Sequence, residues 1–129
     1  MVIADTSVWI PFFKRVDSNE KRILDLLVDA GEIAMVGVVL AEVLQGARSV
    51  DERNLLEETL LALPYFEARQ RTWVRVGQIS SELLRKGITL SMSDLVIAAL
   101  ALEHDCAVYS LDDDFRKVPG LSLYSTPLT

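Results

Sequence analysis

Short apolar runs alternate with amphipathic stretches along this chain. Apolar runs with β-branched members predict buried strands at residues 2–4, 33–36 and 107–110, and a last strand, at an edge, over 121–124. Apolar residues at helical spacing predict helices at residues 7–13, 20–30, 38–47, 51–63 and 71–86, with a polar loop over 14–19. Strands that alternate with helices indicate an α/β fold with a mostly parallel central sheet of four to five strands.

A sixth helix begins within residues 91–94 and differs from the others in its pattern. Eight consecutive apolar residues follow Asp94, so we expect this helix to be central and buried. Asp94 is then the one charge at its start. Ser91 and Asp94 fit a capping box, which gives Asp94 a structural explanation as well as a functional one.

Composition is that of a compact globular protein. With 129 residues, half of them hydrophobic and a quarter charged, the chain is predicted to form one domain over 1–129. No segment is apolar enough for a membrane span or a signal peptide, and the single cysteine, Cys106, cannot form an internal disulfide, so we expect a cytoplasmic protein. Cys106 is predicted to be buried. One histidine, His104, and one cysteine argue against a zinc site.

The net charge of −6 at first argues against a nucleic-acid partner. If four of the 19 acids belong to a metal site, however, the remainder nearly balances the 13 bases, and nucleic acid is not excluded. The most basic segment lies between residues 69 and 86. We interpret its cations as a solvated helix face; they are Arg69, Arg71, Arg75, Arg85 and Lys86.

Four acids have positions that can be explained in two ways. Asp5 follows the first strand and is either a helix N-cap or part of a site at the carboxyl end of a parallel sheet. Glu42 is either a solvated helix position or a site residue at the start of the third helix. Asp94 is either a cap or a site residue. Asp112 follows the third strand and is either a cap or surface charge or a site residue.

In a parallel sheet with right-handed crossovers these four acids meet at one edge. Like charges crowd one another there, which is hard to explain without a cation. Oxygen ligands without His or Cys select Mg²⁺ or Mn²⁺, and two such ions can clamp the attacking and leaving oxygens of phosphoryl hydrolysis. No Ser-His-Asp or Cys-His pair and no glycine-rich phosphate loop offers another chemistry.

In four ordered motifs the chain resembles the PIN-domain ribonucleases, and most closely the VapC toxins of VapBC toxin–antitoxin modules. The motifs are Val2-Ile-Ala-Asp5-Thr-Ser-Val-Trp9, Ala41-Glu42-Val-Leu-Gln-Gly-Ala-Arg48, Ser93-Asp94-Leu-Val-Ile-Ala-Ala-Leu-Ala101 and Ser110-Leu-Asp112-Asp113-Asp114-Phe115. Each motif is weak alone, but the ordered set spans nearly the whole chain. Where the family commonly has Thr, this sequence has Ser110, which keeps the hydroxyl.

The resemblance implies a set of site residues. It implies metal ligation and catalysis by Asp5, Glu42, Asp94 and Asp112, with Asp114 as a possible addition. It gives Thr6 or Ser7 a role in positioning metal, water or phosphate, with Ser110 as a further supporting residue.

The resemblance also implies a function. It implies an Mg²⁺- or Mn²⁺-dependent endoribonuclease toxin that inhibits translation by cutting structured RNA such as tRNA or rRNA, with 5′-phosphate and 3′-hydroxyl products. It implies a homodimer and a VapB-type antitoxin that covers a groove near the site. The aromatic residues Trp9, Phe12 and Phe13 exceed what one core face needs, which favours such a partner surface on the first helix.

Two alternatives remain at the level of the sequence. A phosphorylatable receiver domain has about this length and binds Mg²⁺, but it needs an acceptor Asp after a middle strand and a Lys after a late one. Here the second strand ends at Gly37, and no Lys follows the third strand before Lys117. A PIN domain that serves as a nuclease or binding module in RNA maturation is the other alternative, and a neighbouring antitoxin reading frame would distinguish it from a toxin.

Overall fold

Strand β1 (Val2–Ala4) lies at the centre of a five-stranded sheet in which every pair of neighbours is parallel. The structure, a computed structural model, describes residues 1–14 and 17–125. The strand order is β3-β2-β1-β4-β5. The other strands are β2 (Ile33–Val36), β3 (Tyr65–Phe66), β4 (Ala107–Tyr109) and β5 (Ser122–Leu123). This confirms the predicted α/β fold with a parallel sheet and its last strand at an edge.

Helices connect the strands and flank the sheet. They are α1 (Thr6–Phe13), α2 (Asn19–Asp29), α3 (Gly37–Gln45), α4 (Val50–Leu61), α5 (Gln70–Arg85) and α6 (Met92–Glu103). A short 3₁₀ helix, Asp113–Lys117, follows β4. Within the two described ranges, no helix combines the length and the apolar character needed to cross a membrane.

The core is built on the strands and helix predicted to be buried. Every residue of β1 and β2 is buried, as expected for strands of a parallel sheet that is covered on both faces. All seven residues from Leu95 to Ala101 are buried in α6, and Cys106 is buried just before β4. The predictions of a central α6 and a buried cysteine are confirmed.

The aromatic residues of α1 divide between core and surface. Trp9 is 1 % exposed, whereas Phe12 and Phe13 are half-buried and pack against it with ring centroids 5.4 and 5.6 Å away. Trp9 is therefore a core residue and adds nothing to a partner surface. Pro11 lies inside α1. Because proline has no N–H, the helix lacks one backbone hydrogen bond there.

Two elements have no counterpart among the predictions, the two-residue strand β3 and the 3₁₀ helix. Strand β3 begins after Pro64, whose carbonyl oxygen accepts a hydrogen bond from the N–H of Met35 at 2.7 Å. The predicted loop over 14–19 falls partly on Arg15 and Val16, which lie outside the described residues, as do 126–129. The domain limits 1–129 therefore stay a prediction.

Candidate metal centre

Asp5 lies at the carboxyl end of the central strand and is 6 % exposed. The chain continues from β1 into α1 at this residue, and the Asp5 N–H donates to the carbonyl oxygen of Tyr109 at 3.0 Å, which extends the pairing with β4. Asp5 is the N-cap of α1, since its Oδ1 accepts from the N–H of Ser7 at 3.1 Å. Burial raises the pKa of Asp5, although hydrogen bonds from Ser110 and Ser7 act in the opposite direction.

Two hydroxyl groups connect Asp5 to the segment after β4. Ser7 donates to Oδ1 of Asp5, and Ser110 donates to Oδ2 at 2.6 Å. The same hydroxyls accept backbone hydrogen bonds from that segment, Ser7 from the N–H of Leu111 at 3.0 Å and Ser110 from the N–H of Asp112 at 2.9 Å. The carboxylate of Asp5 and the backbone that carries Asp112 are thus held in a fixed relation.

Glu42 lies on α3 and reaches the same region through Thr6. The hydroxyl of Thr6, next to Asp5 in the chain, donates to Oε1 of Glu42 at 2.9 Å. Glu42 is exposed, as its interpretation as a solvated helix position requires, but its carboxylate is also held by a residue adjacent to Asp5.

Asp94 lies in the first turn of α6 and is half-buried. Its N–H donates to the hydroxyl of the N-cap residue Ser91 at 3.1 Å, so its position at the start of the helix is fixed by a cap. Burial raises the pKa of Asp94, the hydrogen bond with Ser91 lowers it, and the negative charges of Asp5, Asp112 and Asp114 raise it further. Asp94 therefore lies within electrostatic reach of three other carboxylates.

Three of the acids form a compact group. One carboxylate oxygen from each of Asp94, Asp112 and Asp114 lies within 4.8 Å of the other two. Asp112 caps the 3₁₀ helix, since its Oδ1 accepts from the N–H of Asp114 at 3.1 Å, and this turn brings both side chains to α6. Asp5 and Glu42 lie outside this three-acid group, although Asp5 is close enough to affect the pKa of Asp94.

Lys117 also lies in this region, although the sequence pattern does not predict its place there. Its Nζ donates to Oδ1 of Asp114 at 3.0 Å across one turn of the 3₁₀ helix. The spacing of three residues would have predicted the pair if the helix itself had been predicted.

The donor set fits a hard divalent cation. The three-acid group offers oxygen ligands only, and Mg²⁺ and Mn²⁺ prefer such ligands. Carboxylates at this separation repel one another, and a cation among them removes that repulsion.

Comparisons with known proteins agree with this arrangement. The family model of the PIN domain matches residues 2–121. Ribonuclease VapC11 of Mycobacterium tuberculosis (strain ATCC 25618 / H37Rv) is 31% identical over 128 residues, which cover 95% of this chain and 94% of that protein. The structure of VapBC2 from Rickettsia felis bound to a promoter DNA fragment matches with a TM-score of 0.80 at 24% identity, covering 96% of this chain and 98% of that one.

DNA-bound VapBC from Salmonella typhimurium has the same fold. It matches with a TM-score of 0.81 at 22% identity, over 95% of this chain and 96% of that one. Because the PIN-domain match spans nearly the whole sequence and a VapC ribonuclease is related over most of both chains, this chain belongs to the PIN-domain family, in the group of VapC ribonucleases.

Proposed function

We propose that this chain is a metal-dependent endoribonuclease and the toxin of a type II toxin–antitoxin pair, which inhibits translation by hydrolysing RNA phosphodiester bonds. The observation that carries the proposal is the three-acid group of Asp94, Asp112 and Asp114 beside the buried Asp5, in a chain related to VapC ribonucleases. Membership of the PIN-domain family excludes the receiver domain.

The proposed metal ligands and catalytic residues are Asp5, Glu42, Asp94 and Asp112, with Asp114 as an additional ligand. When bound, Mg²⁺ or Mn²⁺ supplies positive charge for the scissile phosphate and lowers the pKa of the attacking water. The protein's own contribution is orientation. Ser7 and Ser110 fix both oxygens of Asp5, and Thr6 holds the carboxylate of Glu42.

Incubation of the purified protein with total RNA, with Mg²⁺ and with EDTA, tests this function. We expect cleavage with Mg²⁺ or Mn²⁺, none with EDTA, and fragments with 5′-phosphate and 3′-hydroxyl ends. Asp94→Asn should abolish cleavage. Asp113→Asn is the matched control, because Asp113 belongs to the same acidic run but pairs with Arg116 outside the three-acid group. Cleavage that persists in EDTA would overturn the mechanism.

A VapB-type antitoxin is the proposed partner, supported by the VapBC complexes among the structural neighbours. A cavity of about 580 Å³ lies between α1 and α3, and its lining includes Ile10, Phe13, Lys14 and Glu42. An apolar segment of the antitoxin fits this surface, with a basic side chain that reaches the acids. Co-purification from the native operon, and its loss in Ile10→Asp, would test this partner.

A homodimer is proposed on one flank of α5. Trp73, Gly77 and Ser81 recur every four residues, and Leu84 follows three residues later, so all four share a flank. Trp73 is 49% exposed and Leu84 is 56% exposed, and no atom lies within 4 Å of a Cβ added to Gly77. A large apolar side chain beside a glycine allows a second helix to approach closely, and a second copy supplies such a helix.

The RNA target is proposed to be a structured RNA such as tRNA or rRNA, and the cytoplasmic location stays a prediction.

A toxin and a nuclease of RNA maturation differ in their effect on growth, which is simple to measure. Expression of the toxin without its antitoxin arrests growth, and co-expression restores it.

A further inference from the structure

A second cavity, of about 760 Å³, lies away from the acids and has a different lining. It is bounded by β3, the first turns of α5 and the end of α6. None of the proposed metal ligands lines it. Asp94 and this cavity lie toward opposite ends of α6, whose 12 residues at about 1.5 Å each separate them by roughly 15 Å along the helix.

Three arginines line this cavity, Arg69, Arg71 and Arg75. All three are exposed, and none has a carboxylate within ion-pair distance anywhere in residues 1–14 and 17–125. Glu67 and Glu103 also line the cavity, but Glu103 accepts a hydrogen bond from the hydroxyl of the buried Thr72 at 3.0 Å. Three arginines against two glutamates leave this lining net positive, in a chain of net charge −6.

Arg69 and Arg71 also occupy an electrostatically unfavourable part of α5. The first turn of this helix has no acidic residue, and Arg69 is its N-cap. The N-terminal end of a helix carries partial positive charge and favours anions, so cations there oppose the helix dipole. An anionic ligand relieves both the repulsion among the arginines and their conflict with the helix end.

A stacked pair of rings forms another wall of the cavity. The rings of Phe66 and His104 lie 3.8 Å apart between centroids and 7° from parallel. Phe66 covers one face of His104, yet His104 remains exposed, so the other face or the edge of its ring meets solvent. Nucleic-acid bases stack on such rings in a sequence-tolerant way.

We infer that this cavity binds the RNA strand outside the cleavage centre, with Arg71 and Arg75 on backbone phosphates and His104 stacked on a base. The inference rests on the proposed ribonuclease function and extends it to substrate positioning. Arg71, Arg75 and Gln78 lie on the flank of α5 opposite to Trp73, Gly77 and Leu84, so RNA and a second copy can bind at the same time. An acidic peptide would form ion pairs with the arginines, but it has no nucleobase to stack on the ring of His104.

Fluorescence anisotropy of a labelled single-stranded oligouridine, measured in EDTA so that nothing is cleaved, tests this site. The double variant Arg71→Gln/Arg75→Gln should weaken binding about tenfold and reduce the slope of log affinity against log salt by about 1.4, the value for two lost phosphate contacts on a single strand. Arg22→Gln/Arg53→Gln is the matched control, since it removes two exposed cations elsewhere and should change affinity less than about twofold.

The stacking contact has its own pair of variants. His104→Ala should weaken binding about fivefold or more, and His104→Phe should restore it because the ring is kept. Each variant is also examined by light scattering. Equal oligouridine binding in the double variant and its control would overturn the site. A double variant that is monomeric by light scattering but keeps its affinity for oligouridine would also overturn it, as would equal affinities for UMP and the oligonucleotide. Cleavage of total RNA with Mg²⁺ is scored separately, so failure of the nuclease function and failure of this site are distinguishable.

Discussion

The two carboxylate oxygens of Asp5 have different partners. One oxygen caps α1 through Ser7, and the other accepts from Ser110. In the sequence, a helix N-cap and a site residue are competing explanations of Asp5. In the structure, Asp5 caps α1 and also lies near the other acids, so the two explanations are compatible. The local pattern predicts the cap, because Asp is a good N-cap wherever a helix follows. The bond to Ser110 joins residues 105 positions apart and could be expected only from the parallel topology.

The variant Asp5→Asn separates a metal ligand from a cap. Because burial raises the pKa of Asp5 and so disfavours its ionised form, the metal-free variant should be as stable as wild type or more stable, by about 1 kcal/mol. Wild type should melt at a higher temperature with Mg²⁺, since the metal binds only the native state. The variant should lose most of that increase and nearly all cleavage. Thermal melts of both proteins in EDTA and in Mg²⁺ measure this.

Asn caps a helix about as well as Asp, which makes the comparison informative. If Asp5 is only a cap, stability and the response to Mg²⁺ should both be unchanged. An unaltered Mg²⁺ shift in Asp5→Asn would remove Asp5 from the proposed ligands.

Lys117 offers a second test at the level of single residues. Its ion pair with Asp114 joins side chains that are 48% and 38% exposed, so Lys117→Gln should change the free energy of unfolding by less than about 0.5 kcal/mol. Loss of a cation beside the three-acid group should nevertheless tighten Mn²⁺ binding, roughly threefold to tenfold, by calorimetry. Arg116→Gln is the control, because its partner Asp113 lies outside the group. Equal affinities in the two variants would contradict the expected effect.

At the scale of elements, buried strands and helices could be predicted from the sequence more readily than exposed ones. The strands β1, β2 and β4 and the helix α6 have continuous apolar runs, and such runs are recognised without knowledge of their neighbours. Strand β3 has two residues, of which Tyr65 is 48% exposed, and it exists because its neighbour β2 offers a free edge. Asp113–Lys117 is charged in four of five positions, so apolar periodicity gives no signal for its 3₁₀ helix.

Tyr109 at the end of β4 makes stability dependent on pH in the alkaline range. Burial, followed by the negative charge of Glu20 and the proximity of Tyr124, raises the pKa of Tyr109 to about 12. Between pH 10 and pH 12 the unfolded state releases this proton and the folded state retains it, so the stabilisation is complete below about pH 10 and is lost as the pH rises. Tyr109→Phe should therefore lose less stability than wild type between about pH 9 and pH 11.

Denaturant unfolding of wild type and variant at the two pH values measures this difference. Tyr65→Phe is the control, because it removes a phenol hydroxyl at a half-exposed position. A parallel loss in wild type and Tyr109→Phe would show that Tyr109 does not cause it.

For the molecule as a whole, the sequence predicted the fold class but not the arginine-lined cavity, and of the four acids expected to meet, only Asp94 and Asp112 lie in the three-acid group. Periodicity along α5 shows which residues are exposed, and it predicts only a solvated face for the basic ones. The walls that make this face a cavity come from Phe66 and His104, which are distant in sequence and meet only in the fold. The sequence pattern of α5 alone therefore does not show that its arginines line a cavity, because the other walls come from different elements.

Gly77 gives a test of assembly at the same scale. Nothing lies within 4 Å of a Cβ added there, so Gly77→Ala should raise the stability of the monomer by about 0.5–1 kcal/mol, as alanine does in a helix interior. Gly77→Arg should keep the monomer folded but prevent the close approach of a second α5. Light scattering at tens of micromolar should give a dimer for wild type and for Glu82→Arg, on the other flank, and a monomer for Gly77→Arg. A dimeric Gly77→Arg protein would place the interface elsewhere.

The hydrogen bond from Ser110 to Asp5 also has a consequence for the order in which the protein is made. A ribosome synthesises Asp5 105 positions before Ser110, and pairings between such distant segments form late in folding. Strand β1 cannot gain its neighbour β4, nor Asp5 its second hydroxyl, until most of the chain has emerged. Chains whose synthesis has not reached Ser110 therefore lack the assembled acidic centre that is proposed to cleave RNA.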